Sequence, residues 1–305
     1  DHFTLNYTYY KSLTKDQLFT IIAPPGAGTQ LYYVNGGDIS NRGFELNASY
    51  RTSVINGFSW ETGINSSKNT NKVIKLSDKL DGDQVVISAM SQTKIYQLVV
   101  KKDGAYGDMY GTIFKRDDAG NIVKDANGRP VVAAGQDHYL GNANPKLLLG
   151  WSNTFFYKGV SLKLLVDGRF GGQVASVTDA LLDQKGLSQR TADARDANAV
   201  TVGGTTFNPK DFYTVAGGSN PIGEQYIYDA TNVRLREASL GYTFPKIKKV
   251  GTITFSVVGR NLFFFLNKAP FDPDSSISTG NGLQGLNAFN MPTTRSIGFN
   301  LNLKF

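Results

Sequence analysis

Apolar residues stand at every second position in one segment after another of this 305-residue chain. A side-chain period of two belongs to β-strands, whose successive residues point to opposite faces of a sheet. Phe3, Leu5, Tyr7 and Tyr9 share one face. Phe44, Leu46, Ala48, Tyr50 and Val54 share another, with Glu45, Asn47, Ser49 and Arg51 between them. Beyond Asn56-Gly57, a dipeptide suited to a tight hairpin turn, Phe58, Trp60 and Ile64 alternate with Ser59, Glu61 and Asn65. Leu147, Leu149, Trp151, Phe155 and Tyr157 lead through Lys158-Gly159 into Val160, Leu162, Leu164, Val166 and Phe170, whose other face carries Ser161, Lys163, Asp167 and Arg169. Ala238 to Phe244, Ile253 to Phe265 and Ile297 to Phe305 repeat the pattern. The spacing predicts antiparallel strands of one sheet at 43–55, 58–70, 145–157, 159–172, 232–244, 252–265 and 293–305.

The links between these strands alternate strictly in length. Asn56-Gly57, Lys158-Gly159 and Pro245 to Gly251 are short, whereas 24–41, 116–144, 173–231 and 266–292 are long and rich in Gly, Asn, Asp and Pro. An up-and-down sheet with short turns at one end and long loops at the other is the pattern of an outer-membrane barrel. A soluble sandwich also alternates faces, but its strands average about five or six residues; the runs here reach the roughly 9–11 residues with which a tilted strand crosses a bilayer. Aromatic clusters at strand ends, Phe155 to Tyr157 and Phe263 to Phe265, suit interfacial girdles. The expectation is an all-β, antiparallel transmembrane β-barrel in the outer membrane. No apolar run is long enough for a membrane helix. The strand-like start at Asp1 predicts a piece of a longer protein, and 72–109 resists assignment of strands. Within 173–231, VTDALLDQKGLSQRTADARDA has helical composition, with Thr178 as its expected cap and Lys185-Gly186 as an interruption.

Composition removes most chemistry. There is no Cys and only His2 and His138, so disulfide, thiolate and zinc-finger readings fall away and imidazole chemistry is nearly excluded. The 32 Lys+Arg against 25 Asp+Glu, net +7, are scattered singly rather than gathered into a phosphate-tracking stripe, so no nucleic-acid partner is expected. No nucleophile–base set is defined, and the chain is read as a non-enzyme without a cofactor. The stretches DDAGN at 117–121 and DANG at 125–128 lack the closing Glu of a calcium loop and read as hairpin turns. Asp272 and Asp274 read as a loop-ordering turn rather than a metal site.

Several phrases, in order, resemble one family. NRGFELNASY (41–50), GNANPKLLLGWSNTFFYKGVSL (141–162), YDATNVRLREASLGYTFP (228–245), VVGRNLFFFLN (257–267), DPD (272–274) and PTTRSIGFNLNLKF (292–305) are similar to SusC-like (SusC/RagA) TonB-dependent transporters of Bacteroidetes outer membranes. The resemblance covers nearly the whole chain and matches the C-terminal part of that family's barrel, with nothing resembling its plug domain or TonB box. It implies that residues 1–305 supply about 10–12 strands, roughly half of a barrel of about 22 strands, with one short helical segment in a long extracellular loop. It further implies active import of an oligosaccharide, or a peptide, driven through TonB by the missing N-terminal part. A SusD-like surface lipoprotein would be the partner on the long-loop side. A structural or docking barrel and a passive porin are the alternatives.

By phase, Arg51, Lys163, Asp167 and Arg169 face the lumen. Arg51, Asp167 and Arg169 are therefore candidate substrate contacts, together with the loop aromatics Tyr139, Phe207, Tyr213, Tyr226 and Phe289, although ion pairing and loop packing compete for each. Phe299, Leu301, Leu303 and Phe305 should face lipid while Asn300, Asn302 and Lys304 face inwards. This ending resembles the insertion signal read by the barrel-assembly machinery, a further expected partner beside the outer-membrane lipid itself.

Overall fold

The computed structural model of the chain describes residues 2–22, 28, 31–77, 83–88, 94–245, 251–277 and 285–304. Strands β1 (Phe3–Ile22), β2 (Leu31–Arg51) and β3 (Phe58–Leu76) are followed by four short ones, β4 (Gln84–Ser88), β5 (Tyr96–Lys101), β6 (Asp108–Gly111) and β7 (His138–Asn142). Next come the long hairpin β8 (Leu147–Tyr157) and β9 (Val160–Phe170), then β10 (Gln173–Ser176), helices α1 (Val177–Gln184) and α2 (Gln189–Asp196), β11 (Val200–Val202), β12 (Thr205–Phe207) and α3 (Pro209–Ala216). A 3-10 turn at Gly223–Tyr226 leads to β13 (Ile227–Asp229), β14 (Asn232–Thr243), β15 (Thr252–Asn267), β16 (Leu286–Asn287) and β17 (Ser296–Lys304).

Eight of the strands form one antiparallel sheet in the order β1-β2-β3-β8-β9-β14-β15-β17. Its tight turns work because both residues of each adopt positive φ, as a type I′ turn requires: Asn56 (52°) and Gly57 (81°), Lys158 (45°) and Gly159 (93°). Register carries the two-faced pattern across the sheet. Leu5, Ala48, Ile64, Trp151, Val166, Leu235 and Phe263 form one continuous row of cross-strand partners, and Arg51, Glu61, Thr154, Lys163 and Ser239 form another. The first row is apolar and largely exposed, with Leu5 at 56% and Phe263 at 47%; the second row is polar. A sheet that presents a broad exposed apolar face among the described residues matches the outward surface of a membrane barrel.

The core of the chain lies elsewhere. Segments joining the strands at the end away from the tight turns fold into a cap. The cap contains a four-stranded sheet β4-β5-β6-β7, a three-stranded sheet β13-β10-β16, the β11–β12 hairpin and the three helices. Ile95, Leu98, Met109, Phe114, Phe212, Ile222 and Leu286 are fully buried in it. A second cluster, Phe19, Ile39, Val73, Leu76, Val85 and Val100, joins the far ends of β1–β3 to the cap.

Several expectations are corrected by these elements. The expected loop 24–41 overlaps β2, which begins at Leu31, and the strand expected over 58–70 continues to Leu76. Among the described residues the large sheet has eight strands rather than 10–12, because β4 and β5, from the illegible region, pair with β6 and β7 in the cap. The single expected helical segment is two helices broken at Lys185–Ser188, and α3 is a third outside it. Ser176, not Thr178, caps α1, its Oγ accepting from the Asp179 amide at 3.0 Å. Turns at 117–121 and 125–128 are as expected: Asp117 Oδ1 accepts from the Asn121 amide at 2.8 Å, and Asp125 Oδ1 from the Arg129 amide at 2.8 Å.

Candidate functional site at the junction of sheet and cap

On β14 the apolar phase flips. Val233 and Leu235 are odd-numbered, Ala238, Leu240 and Tyr242 even-numbered, yet all five lie on one face. The flip is a β-bulge at Arg236, which has no cross-strand partner on either side. Its result is that Arg234, Arg236 and Glu237 all face the polar side. Opposite the bulge, Asn261 of β15 takes a positive φ of 50°, and its Oδ1 accepts from Arg236 Nη1 at 3.1 Å.

The segment after β15 is tied down onto this bulge. Asp272 Oδ1 accepts from the Asp274 amide at 3.0 Å, closing a turn around Pro273. Its Oδ2 accepts from the amide of Thr293 at 3.1 Å and from the Thr293 hydroxyl. Arg234, 1% exposed at its side chain, donates to Asp274 and to Thr293 Oγ1 (2.9 Å), and its guanidinium lies 4.4 Å from the Phe264 ring centroid. Arg236 donates Nε to Asp167 Oδ2 at 2.8 Å and reaches Asp274 at 3.2 Å. Asp272 and Asp274 thus order the loop, as the sequence suggests. For Asp272 burial pushes its carboxyl up, but hydrogen bonds from Thr293 and the Asp274 amide, with the Arg234 charge, outweigh burial and hold it below the usual carboxylate range.

A second polar cluster stands inside the cap. Arg190 of α2 donates to Asp179 (2.5 Å) and Asp183 (3.0 Å) of α1 and to the Tyr228 hydroxyl (2.8 Å), with the rings of Tyr226 and Tyr228 about 6 Å from its guanidinium carbon. Burial raises the Asp183 carboxyl above its ordinary value, and the hydrogen bond from Ser188 and the Arg190 charge offset this only in part.

The residues singled out from the sequence are dispersed rather than gathered. Arg51 pairs with Glu61 at 2.6 Å near the tight-turn end of the sheet. Asp167 belongs to the Arg236 network, and Arg169 donates Nη2 to the Ala143 carbonyl at 2.7 Å. Tyr213, Tyr226 and Phe207 are packed into the cap core, not presented to solvent. Phe289 is exposed at φ 56°, its amide bound to Thr178 Oγ1 at 2.6 Å. Tyr139 packs edge-on against Tyr110 and lines a cleft beside β3 that also contains Lys68, on the outer, apolar-phase side. Phe305 lies outside the described residues; Phe299, Leu301 and Leu303 share the apolar face.

No family model matches the chain. Over 99% of its length it is 28% identical to TonB-dependent receptor P3 of Formosa agariphila, and over 97% it is 23% identical to TonB-dependent receptor P39 of the same bacterium. Over 83% it is 24% identical to TonB-dependent receptor SusC of Bacteroides thetaiotaomicron. The whole chain superposes at TM-score 0.72 and 18% identity on 34% of a chain of the RagAB peptide importer in its closed-closed state, and on 33% in its open-open state. The chain is thus similar to a barrel portion of the SusC-like TonB-dependent receptors. The chain spans about a third of the length of the two Formosa relatives, 32% and 33%.

In this SusC-like wall the residues that period-two reasoning passed over are Arg234, Arg236 and Asn261. Their signal was present as the phase flip between Leu235 and Ala238. For Arg190 no local signal exists, because its partners come from α1 and β13.

Proposed function

We propose that the chain forms wall and external mouth of an outer-membrane importer energised through TonB. The observation that carries this reading is the division of the molecule into a coreless two-faced sheet, closed by tight turns at one end, and a well-packed cap at the other. The apolar face meets lipid, the polar face lines the lumen, and the cap with its exposed Phe289 stands on the extracellular side against a SusD-like lipoprotein. Cargo contacts come from polar-face groups near the cap, Arg169 and the Asp167–Arg236 pair, with Arg51 lower in the lumen. The first cargo to test is an oligosaccharide. A peptide is the second, favoured by the superposition on a peptide importer.

Uptake of labelled oligosaccharides and peptides is measured in cells carrying the full-length receptor and in cells lacking it. Receptor-dependent uptake that collapses on adding a protonophore or deleting TonB supports active import. Uptake unaffected by either treatment supports a passive porin instead, and receptor-independent uptake of every cargo supports a structural barrel.

A further inference from the structure

The outer face of the sheet is uneven in charge. Along β8, β9, β14, β15 and β17 no apolar-face position among the described residues is Lys or Arg. On β1–β3 the same face carries Lys11, Arg42, Lys68 and Lys72 on adjoining strands: Lys11 pairs in register with Arg42, Arg42 with Thr70, and Lys68 with Phe44. Lys72 is bound to Asp103 at 2.7 Å. Lys11, Arg42 and Lys68 are exposed and have no carboxylate partner among the described residues. The other nearby acid, Asp108, is turned to the Ala105 amide (2.7 Å) and to Asn142 (2.7 Å).

The height of these cations on the wall is fixed by the register. Lys68 follows Phe58, the first residue after the tight turn, by ten positions (68 − 58), and a transmembrane strand takes about 9–11 residues. Lys11 is two residues beyond Tyr9, hence about 7 Å further along the strand, and Tyr9, Phe44 and Lys68 are level with one another in the register. The cations therefore stand one bilayer thickness from the short turns, at headgroup level, with Lys68 beside Tyr9 and Phe44 and the Lys11–Arg42 pair two residues past them. There β3 parts from β8 beyond the Ser67–Leu148 pair, and the gap is occupied by 103–108 and 139–146. Asn71 takes the Tyr106 amide at 2.6 Å and Asn144 donates to the Tyr106 carbonyl at 2.7 Å, which fixes this segment beside β3. Outside it a cleft of about 750 Å³ opens on the lipid-facing side, with Lys11, Arg42 and Lys72 on one wall and Tyr139 on the other. Lys68 lines the adjoining cleft of about 610 Å³.

We propose that these two adjoining clefts bind the phosphate groups of an outer-leaflet glycolipid, held by Lys11 and Arg42 in one and Lys68 in the other, while the acyl chains run down the apolar face below Tyr9 and Phe44. Three cations without a carboxylate partner among the described residues, lining two adjoining polar recesses, match clustered phosphates, and the adjoining apolar face matches acyl chains; a free anion would have no use for the second feature. The proposal rests on the reading that the apolar face meets lipid.

The test uses the full-length receptor in phosphatidylcholine nanodiscs containing bisphosphorylated lipid A or the same lipid stripped of its phosphates, with bound lipid counted by native mass spectrometry. Retention of the phosphorylated form above the stripped form is expected, and this arm needs no variant. Lys11→Gln, Arg42→Gln and Lys68→Gln should each weaken retention about fivefold, since a basic residue at an anionic surface contributes about 1 kcal/mol. Receptor content of heat-modifiable barrel and uptake of cargo should stay unchanged. Equal retention of both lipids, equal retention by the variants, or full displacement by inorganic pyrophosphate, which would identify a free-anion site, would overturn the proposal. A receptor that enters neither nanodisc would overturn the membrane reading beneath it.

Discussion

Arg236, the unpaired residue of the β14 bulge, donates Nε to Asp167 Oδ2 of β9 at 2.8 Å and extends to Asp274 at 3.2 Å. One guanidinium therefore connects the wall strand on one side of β14 to the loop that follows β15. Without the bulge, period-two alternation would place Arg236 on the apolar face with Ala238 and Leu240, away from Asp167 and Asp274. The extra residue is thus the device that turns a strand position into a loop anchor.

The deeper anchor is Arg234. Removing it leaves Asp272 without its cation in a largely buried site and Asp274 with Arg236 alone, and breaking a buried pair from one side costs about 3 kcal/mol or more. Arg234→Leu is expected to release residues 268–277 and 285–295 from the sheet. Hydrogen exchange should rise at Thr293 and its neighbours, while amides in the β8–β9 hairpin stay protected. Exchange unchanged at Thr293 would show that Asp272 holds the loop alone.

Acid should act on the two carboxylate clusters in opposite directions. Asp272 titrates below its unfolded value, so its contribution is complete above an unfolded pKa of about 3.9 and disappears only as pH falls through the lower folded value. Asp183 titrates above its ordinary value because it is buried, so its charged form penalises the fold at neutral pH. Protonation on acidification relieves that penalty until the ordinary carboxylate range is reached. Exchange protection of α1 and α2, corrected for intrinsic rates, should therefore hold or rise between about pH 7 and pH 5, and the Thr293 anchor should loosen only below about pH 4. Asp183→Asn should remove the first effect and leave the second.

Arg190 tests whether the cap depends on a planar fork or on charge alone. Its guanidinium serves Asp179, Asp183 and Tyr228 at once, which a Lys ammonium at the same distance cannot reproduce. Arg190→Lys should destabilise the α1–α2 pair by about 1–2 kcal/mol, read as faster protease cleavage between 177 and 230 with an intact barrel. Cleavage at the wild-type rate would mean that charge suffices.

How much of this was legible depends on length of pattern. The β8–β9 hairpin was readable at 145–157 and 159–172 because its alternation runs unbroken through Leu147–Tyr157 and Val160–Phe170. The cap was not, since strands such as Asp108–Gly111 are too short to show a period. Its core is assembled from single apolar residues far apart in the chain, for example Phe114, Phe212 and Leu286. Tyr213 and Tyr226 looked like loop aromatics for that reason. Helix α3 did carry a start signal: Asn208 caps it by accepting from the Lys210 and Asp211 amides, and Pro209 sits at its first position. Lys11, Arg42 and Lys68 appeared scattered because the sheet, not the sequence, brings them together.

The inside–outside assignment is tested most sharply on the last strand. Phe299 pairs with Val257 and Asn300 with Ser256, so neighbouring residues occupy opposite faces at nearly the same depth. Phe299 is 75% exposed on the apolar side. A charge placed there must face hydrocarbon, at a cost of about 2–4 kcal/mol near the bilayer midplane, whereas a charge at Asn300 joins the polar row. Phe299→Arg should sharply reduce heat-modifiable barrel in outer-membrane fractions and Asn300→Arg should leave it near wild type. Since both substitutions add the same side chain one residue apart, differences in synthesis or overall charge cannot produce that contrast. Equal loss in the two variants would mean that the apolar row does not face lipid, and with it the glycolipid clefts on the same face would lose their membrane.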